Sequence, residues 1–380
     1  ERLRNGKINE GDILFCLRGS LGNIGLAKNI KKGAIASSLV IIRPTKEIEK
    51  DYLYYILSGP INRKIVRELD NGSVQGNLSV NELKKVEINL PNLENQKAIA
   101  HILRTLDKKI ILNKKINENL EEIAKALFKS WFIDFDPVIA KAEGRSTGLP
   151  DEISDLFPNS FEDSELGRIP TGWEISNISE ISEVIDCLHS KKPEREDQGH
   201  LLLQLNNITD NGILDISDKY LIKNNDYEKW TSRMETRAGD CVITNVGRVG
   251  AVSQIPPKVK AALGRNMTAI RAKNVFPFPT FILEYLLSTL GRNEIRLNID
   301  VGTILNALNV KSIPKLRFIY PGIDLCRHYE HLSRPFREKM ERIHNENESI
   351  SLVRNAILPK LVSGELRIPD TEKMLEEVGI

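Results

Sequence analysis

From Asn95 to Phe132 the apolar positions recur at alternating steps of four and three: Ile99, Leu103, Leu106 and Ile110, then, after Asn113 and Asn117, Leu120, Ala124, Leu127 and Trp131. No Pro or Gly interrupts these 38 residues. This is the a/d pattern of a heptad seam. A straight helix of this length spans about 57 Å at 1.5 Å per residue, more than a small globular domain needs to cover its own core, so the stretch reads as a rod between two bodies. A second seam, Phe336, Met340, Ile343, Asn347, Ile350, Arg354, Ile357 and Leu361, repeats the alternation 230 residues later. Leu106 maps to Phe336, Ile110 to Met340, Asn117 to Asn347, Leu120 to Ile350 and Leu127 to Ile357. Two helices with apolar seams are expected to pack together. The recurring Asn is either a buried residue that fixes register at some cost in stability or an unpaired surface residue. Pro335 and Pro359 fall inside the second pattern and are expected to start, kink or end that helix.

The offset extends beyond the rods. GDILFCL at Gly11 and GDCVITN at Gly239 share an opening Gly-Asp and a β-rich run, and Gly22-x-x-Gly25 is answered by Gly247-x-x-Gly250. AIASSLVIIRPTK (Ala34 to Lys46) is answered by LGRNMTAIRAK (Leu263 to Lys273), and the apolar helix pattern DYLYYILSG by TFILEYLLSTLG. GSVQGNLSVNELKKVEINLP (Gly72 to Pro91) then matches GTILNALNVKSIPKLRFIYP (Gly302 to Pro321). One such pair is no more than two similar strands. An ordered series implies one structural unit built twice. The second copy begins near Gly172-Trp173, about 67 residues before Gly239, whereas ten residues precede Gly11, so the first unit is expected to lack most of its N-terminal part. Between the copies, Ile133 to Thr171 carries Pro137, Pro150, Pro158 and Pro170 and is expected to be a linker with short helical turns and little core of its own.

Composition narrows the class without identifying it. A chain of 380 residues is long enough for two or more cored domains. Hydrophobic and charged fractions of 41% and 28% suit a soluble globular protein, and no apolar run approaches the roughly 18 residues of a membrane span, so the cytoplasm is the expected location. Cys16, Cys187, Cys241 and Cys326 are scattered, with neither the CxxC pairs of a zinc site nor the density of a disulfide framework. The net charge of +2 conceals local patches: the first rod holds eight Lys or Arg against four acids, whereas Asp151 to Glu165 is mostly acidic.

Motifs for chemistry are missing. There is no G-x-x-x-x-G-K-[ST] phosphate loop and no HExxH helix, and Gly19-x-x-Gly22-x-x-Gly25 lacks the strand-turn-helix setting of a nucleotide site. His328 and His331 are three apart without a Cys or carboxylate pair at ligand spacing, so no metal is expected. No adenine-methylation motif of the Asn-Pro-Pro-aromatic or Asp-Pro-Pro-aromatic type is present, and no paired-carboxylate nuclease signature. The chain reads as non-catalytic. What remains is polar and basic loop chemistry: Lys191, Lys192 and Arg195 after one expected strand, Asn245 and Arg248 in the second glycine turn, Arg265 and Asn266 opening another strand, and Arg18, Ser20 and Asn23 in the first glycine turn. Arg and Lys bond guanine edges or phosphates and Asn bonds adenine, so these types suit groove readout. Each taken alone equally suits a solvated loop.

Three phrases add a resemblance: LPNLENQKAIAHILRTLDKKIILNKKINENLEEIAKALFKSWFIDFDPV, GLPDEISDLFPNSFEDSELGRIPTGWEI and ILPKLVSGELRI. Their wording, and their order around a duplicated unit, resemble the specificity subunit of type I restriction-modification systems over nearly the whole chain. The resemblance implies a non-enzymatic α/β (α+β) protein, with two mixed α/β target-recognition domains separated by two long helices packed as an antiparallel coiled coil. Each recognition domain would read one half of a bipartite double-stranded DNA target. The helices would set the spacing and dock modification subunits, two in number, with restriction subunits joining them. S-adenosylmethionine, ATP and Mg would belong to those partners, and none is expected here.

On this reading the chain divides into a short first recognition domain, 1–91, the central helix, 92–133, the linker, 134–170, the second recognition domain, 171–321, the distal helix, 322–366, and a tail, 367–380. The seam residues expected to pack are Leu103, Leu106, Ile110, Asn117, Leu120 and Leu127 with Phe336, Met340, Ile343, Asn347, Ile350 and Ile357. Other readings are an assembly subunit whose rods only join other chains, a half-specificity protein that works by pairing with another half, and an enzyme with an unrecognised site. DNA binding equal for all sequences would favour the assembly subunit, concentration-dependent dimerisation the half protein, and turnover by the lone chain the enzyme. The DNA reading predicts that Lys191→Ala or Arg248→Ala weakens binding to one half-site in a mobility-shift titration, by about 1–3 kcal/mol where a base contact is lost.

Overall fold

The computed structural model describes residues 6–59, 62, 78–300 and 306–377. They form two compact units, 1–114 with 345–380, and 115–344. Residues 72–77 and 302–305, part of one matched pair of the repeat, lie outside the described residues.

In the first unit β1 (Ile13–Cys16) lies between β2 (Ile24–Leu26) and β3 (Leu39–Ile42), both antiparallel to it. Alternation along β1 buries Ile13 and Phe15 and leaves Leu14 half-buried, as a one-faced sheet requires. A helix, Lys50–Ser58, follows, its N-terminus capped by the Glu49 carboxylate, which accepts from the Tyr52 amide at 2.6 Å. Leu53 and Leu57 of this helix join Ile13 and Phe15 in the sheet core, while Tyr52, Tyr55 and Ile56 pack with Ile99, Leu103 and Leu106 of the first long helix, Leu93–Phe132. That helix starts where the Asn92 side chain accepts from the Asn95 amide, just past Pro91.

The second unit has more strands. A hairpin, β4 (Phe161–Ser164) with β5 (Gly167–Pro170), is followed by β6 (Glu174–Asn177) and β7 (Ser182–Asp186). Then come β8 (His200–Leu203), β9 (Leu221–Ile222), β10 (Cys241–Thr244), β11 (Val252–Gln254), β12 (Ala262–Leu263) and β13 (Met267–Ala272). The last are β14 (Ile299–Asp300), β15 (Ala307–Leu308) and β16 (Arg317–Tyr320). The main sheet runs β11-β10-β13-β7, a second runs β12-β8-β9 with β12 parallel to β8, and β6 pairs with β16. A helix, Pro279–Leu287, packs on the main sheet, and the second long helix, Ile323–Ser363, begins after Gly322.

The duplication is visible bond by bond. Strands β1, β2 and β3 become β10, β11 and β13 at a constant offset of 228: Ile13 opposes Leu26 and Ile42, and Cys241 opposes Gln254 and Ile270. Gly11, Gly19 and Gly22 have φ of 85°, 79° and 80°, and Gly239, Gly247 and Gly250 have 88°, 88° and 79°. These left-handed corners explain the glycine spacing and correct the expected match: Gly247 and Gly250 answer Gly19 and Gly22, while Gly25 lies inside β2 and has no positive φ. At the other end of the strands Arg43 grips Asp12 through two bonds of 2.7 and 2.6 Å, and Arg271 grips Asp240 through two of 2.8 and 2.7 Å.

In each unit a stretch of one long helix runs antiparallel to a stretch of the other. Ile99, Leu103, Leu106 and Ile110 share a core with Ile350, Leu358 and Leu361 in the first unit. In the second, Ala124, Met340 and Ile343 are buried, with Leu120, Leu127 and Phe336 half-buried. At the C-terminal end the phase differs from the expected seam: Leu358 is buried and Ile357 only half so, the drift expected of a 3.6-residue turn against a 3.5 repeat. The recurring Asn residues are paired across the helices. Asn117 Nδ2 donates to the Met340 carbonyl at 3.0 Å, and Asn347 Oδ1 accepts from Asn113 Nδ2 at 3.0 Å.

Two expectations are corrected. Of the start, kink or end expected at Pro335 and Pro359, start and end are overturned, because the second long helix runs through both from Ile323 to Ser363; packing of its apolar face outweighs the lost amide donors. The stretch 134–170 is not a bare linker, because Val138, Ile153, Phe157 and Ile169 are buried in the main core of the second unit. Trp131 requires cover there, and Phe157 supplies it edge-on at 5.3 Å, with Trp173 and Tyr329 in the same aromatic cluster. No helix among the described residues is long and apolar enough to cross a membrane.

The paired Asp–Arg clamps allow a graded test. Arg271→Ala leaves the Asp240 side chain, 2% exposed, as an unpaired buried charge and is expected to lower unfolding free energy by about 3–5 kcal/mol in urea denaturation. Arg43 is half exposed, so Arg43→Ala should cost less. Its hydrogen bonds hold the Asp12 carboxyl below the usual range, a contribution present above the unfolded carboxylate pKa and lost as pH falls through the lower folded value. Acid destabilisation below about pH 4 should therefore be shallower in Arg43→Ala than in the wild type.

Candidate nucleic-acid interface

Strand directions decide where the polar loops emerge. Because β7 and β10 both run antiparallel to β13, the end of β7 at Asp186, the end of β10 at Thr244, and the start of β13 at Met267 share one end of the sheet. The segments 187–199, 245–251 and 264–266 leave from that end. Lys191, Lys192, Arg195, Asn245, Arg248, Arg265 and Asn266 are all on these segments. In the first unit Arg18, Ser20 and Asn23 occupy the β1–β2 turn, which is the corresponding end, and all three are exposed. The Asp–Arg clamps are at the opposite end, so each small sheet has one end locked and one end open.

On the segment after β7, Lys192 Nζ stands 3.9 Å above the Tyr220 ring, and the Arg195 guanidinium is 5.9 Å from the same ring. Arg195 also donates to Asp218 at 2.6 Å and to the Lys219 carbonyl at 2.8 Å, and Tyr220 donates its hydroxyl hydrogen to the Pro193 carbonyl. Burial, followed by the charge of Arg195, lowers the Lys192 pKa from its ordinary value. The result is a cationic ledge built on one aromatic ring. Lys191 beside it is exposed. His189 pairs with Asp186 at 2.8 Å, and Arg233 pairs with the same carboxylate at 3.3 Å. Asp186, Cys187 and His189 bring donor atoms within 4.8 Å of one another; burial raises the Cys187 thiol pKa, and the Asp186 carboxylate is engaged by His189 and Arg233.

Asn245 does not face solvent. It is 6% exposed, its Nδ2 donates to the Leu308 carbonyl at 3.0 Å, and its Oδ1 accepts from the Thr268 hydroxyl at 2.9 Å. The expectation that it reads a base is corrected: its hydrogen-bonding capacity holds the sheet end together. Arg248 is exposed at the tip of the glycine turn but is braced, donating to the Ile208 carbonyl at 2.8 Å and to Asp210 at 2.6 Å. Arg265 is exposed, and Asn266 beside it has a left-handed backbone with φ 63°. Sequence reasoning missed Tyr220, Asp218 and Asp210, which hold these cations. They are 23 to 38 residues away along the chain, and nothing local marks them.

Comparison with known proteins follows this geometry. Residues 2–122 match the family model described as type I restriction modification DNA specificity domain. The type I restriction enzyme MjaIX specificity subunit of Methanocaldococcus jannaschii is 27% identical over 372 residues, covering 95% of this chain and 79% of that protein. The HindI specificity subunit of Haemophilus influenzae is 23% identical over 411 residues, covering 94% and 87%. Among solved structures, the type I restriction-modification S subunit from M. genitalium has the same fold, with a TM-score of 0.54 at 18% identity, covering 95% of this chain and 85% of that one. The chain is thus similar over residues 2–122 to the DNA specificity domain family, and over 94–95% of its length to proteins named as type I restriction enzyme specificity subunits.

Proposed function

We propose that the chain is the non-catalytic, DNA sequence-specificity subunit of a type I restriction-modification complex. Each recognition unit reads one half of a bipartite duplex target through the open end of its sheet, and the long helices set the spacing and dock the modification subunits. The observation that carries this reading is the duplicated sheet itself. Two sheets of the same register, each locked at one end by an Asp–Arg pair and opening polar loops at the other, suit two readings of DNA by one device. The cationic ledge on Tyr220 suits phosphates, which position a protein on duplex DNA without sequence preference. The names of the relatives support the specificity role. Methyl transfer and cleavage, with S-adenosylmethionine, ATP and Mg, fall to the modification and restriction subunits in this reading, which also places the protein in the cytoplasm.

Single-molecule methylation sequencing of DNA from cells that co-express the chain with its modification subunit tests this directly. The expected result is a split motif with adenine methylation in both halves. Methylation without a motif, or binding equal for all sequences, would instead identify an assembly subunit. For the purified complex, Lys191→Ala should reduce the slope of log affinity against log salt by about 1 and weaken all sequences alike, as loss of a phosphate contact does.

A further inference from the structure

The cations at the open end of the second sheet fall into two sets. Lys192, Arg195 and Arg248 are held by Tyr220, Asp218 and Asp210. Among the described residues Lys191 and Arg265 have no polar side-chain partner, and only Arg265 carries the planar fork that matches a base edge in two bonds. Its backbone is pinned on both sides. The Gly264 amide donates to the Leu203 carbonyl at 3.0 Å, and a Cβ added at Gly264 would lie 2.2 Å from that oxygen, so only glycine fits. On the other side the Asn266 carbonyl accepts from the Asn245 amide at 2.8 Å, and Asn266 takes the left-handed backbone that Asn tolerates better than most residues.

The first copy shows which part of this corner is frame and which is addition. There the Ser38 carbonyl accepts from the Leu17 amide at 2.8 Å, the same bond 228 residues earlier, but the corner is Ala36-Ser37-Ser38, with no left-handed residue and no long cation. Both units share this bond, and the second alone has a glycine anchor, a left-handed residue and an arginine at the corner. A rigid backbone beneath a guanidinium that has no polar side-chain partner among the described residues reduces the ordering needed on binding, which is what a base-reading residue requires.

Resting on the proposed specificity role, we infer that Arg265 is the residue that reads a guanine in the half-site of the second unit, donating two bonds to O6 and N7 in the major groove. The braced cations around it position the backbone. Ser37, its counterpart in the first unit, leaves that half-site without the same readout.

The test compares wild type, Arg265→Ala and Lys191→Ala, each co-expressed with the modification subunit, by methylation sequencing, with thermal unfolding of each purified chain as the control for folding. The wild type should give a motif with a guanine in one half. Arg265→Ala, folded, should relax that single position, with discrimination against other bases there falling roughly tenfold to hundredfold, and leave the rest of the motif intact. Lys191→Ala should keep the motif and lose only extent. An Arg265→Ala protein that methylates the unchanged motif, whether at full or at uniformly reduced level, overturns the assignment; the reduced level would make Arg265 a phosphate contact. If Arg265→Ala fails to fold, Arg265→Lys serves instead, and an unchanged guanine preference in it overturns the inference equally. Absence of methylation with the wild type removes the specificity role itself and this inference with it.

Discussion

A three-stranded antiparallel sheet crossed by one short helix cannot bury both faces of that helix. In the first unit this constraint governs everything else. Leu53 and Leu57 satisfy the sheet, and Tyr52, Tyr55 and Ile56 are left on the far side, where Ile99, Leu103 and Leu106 of the first long helix close over them. The seam of the long helix therefore serves two partners, the other long helix and the short helix on the sheet. This is why the compact units include parts of both long helices instead of ending where those helices begin.

The same need is met in the second unit with different side chains. Where Tyr55 donates to Asp107 at 2.7 Å and Arg354 braces that carboxylate at 2.6 Å, the residue 230 positions beyond Asp107 is Arg337, paired with Glu284. Burial opposes charge on Arg337, and the Glu284 carboxylate more than offsets it, holding the guanidinium above its ordinary pKa. Only 6% of the Arg337 side chain and 1% of the Glu284 side chain are exposed, so removal of either partner would strand a buried charge. Duplication has preserved backbone register and glycine corners while the polar contacts between short and long helix diverged, even in the sign of charge.

Divergence is also what separates the two ends of each sheet. At the locked end Asp12–Arg43 and Asp240–Arg271 superimpose residue for residue in sequence, because a bidentate pair fixes strand register and tolerates little change. At the open end the corner of the first copy holds serines and that of the second holds Gly264, Arg265 and Asn266. Changes there alter what the loop presents without loosening the strands below.

Periodicity and spacing are local properties, and they were legible without coordinates. The two long helices, their apolar seams and the order of the duplication follow from residue patterns that repeat every three or four positions, or at a nearly constant offset, whereas the antiparallel sense of the seams, the partners of the Asn residues and the alignment of the glycine corners do not. Burial and partnership are not local. Asn245 and Arg248 are equally polar on paper, yet one is consumed by Leu308 and Thr268 and the other is braced by Asp210, because the residues that meet them arrive from 23 to 63 positions away. The stretch 134–170 carries the Pro and Gly of a linker but packs against Trp131 and Trp173, a demand visible only once those rings are placed. Sequence alone determined the long helices and the order in which the elements repeat; the tertiary structure decided where the compact units divide and which polar side chains remain available to a partner, since both depend on what the rest of the chain brings against each residue.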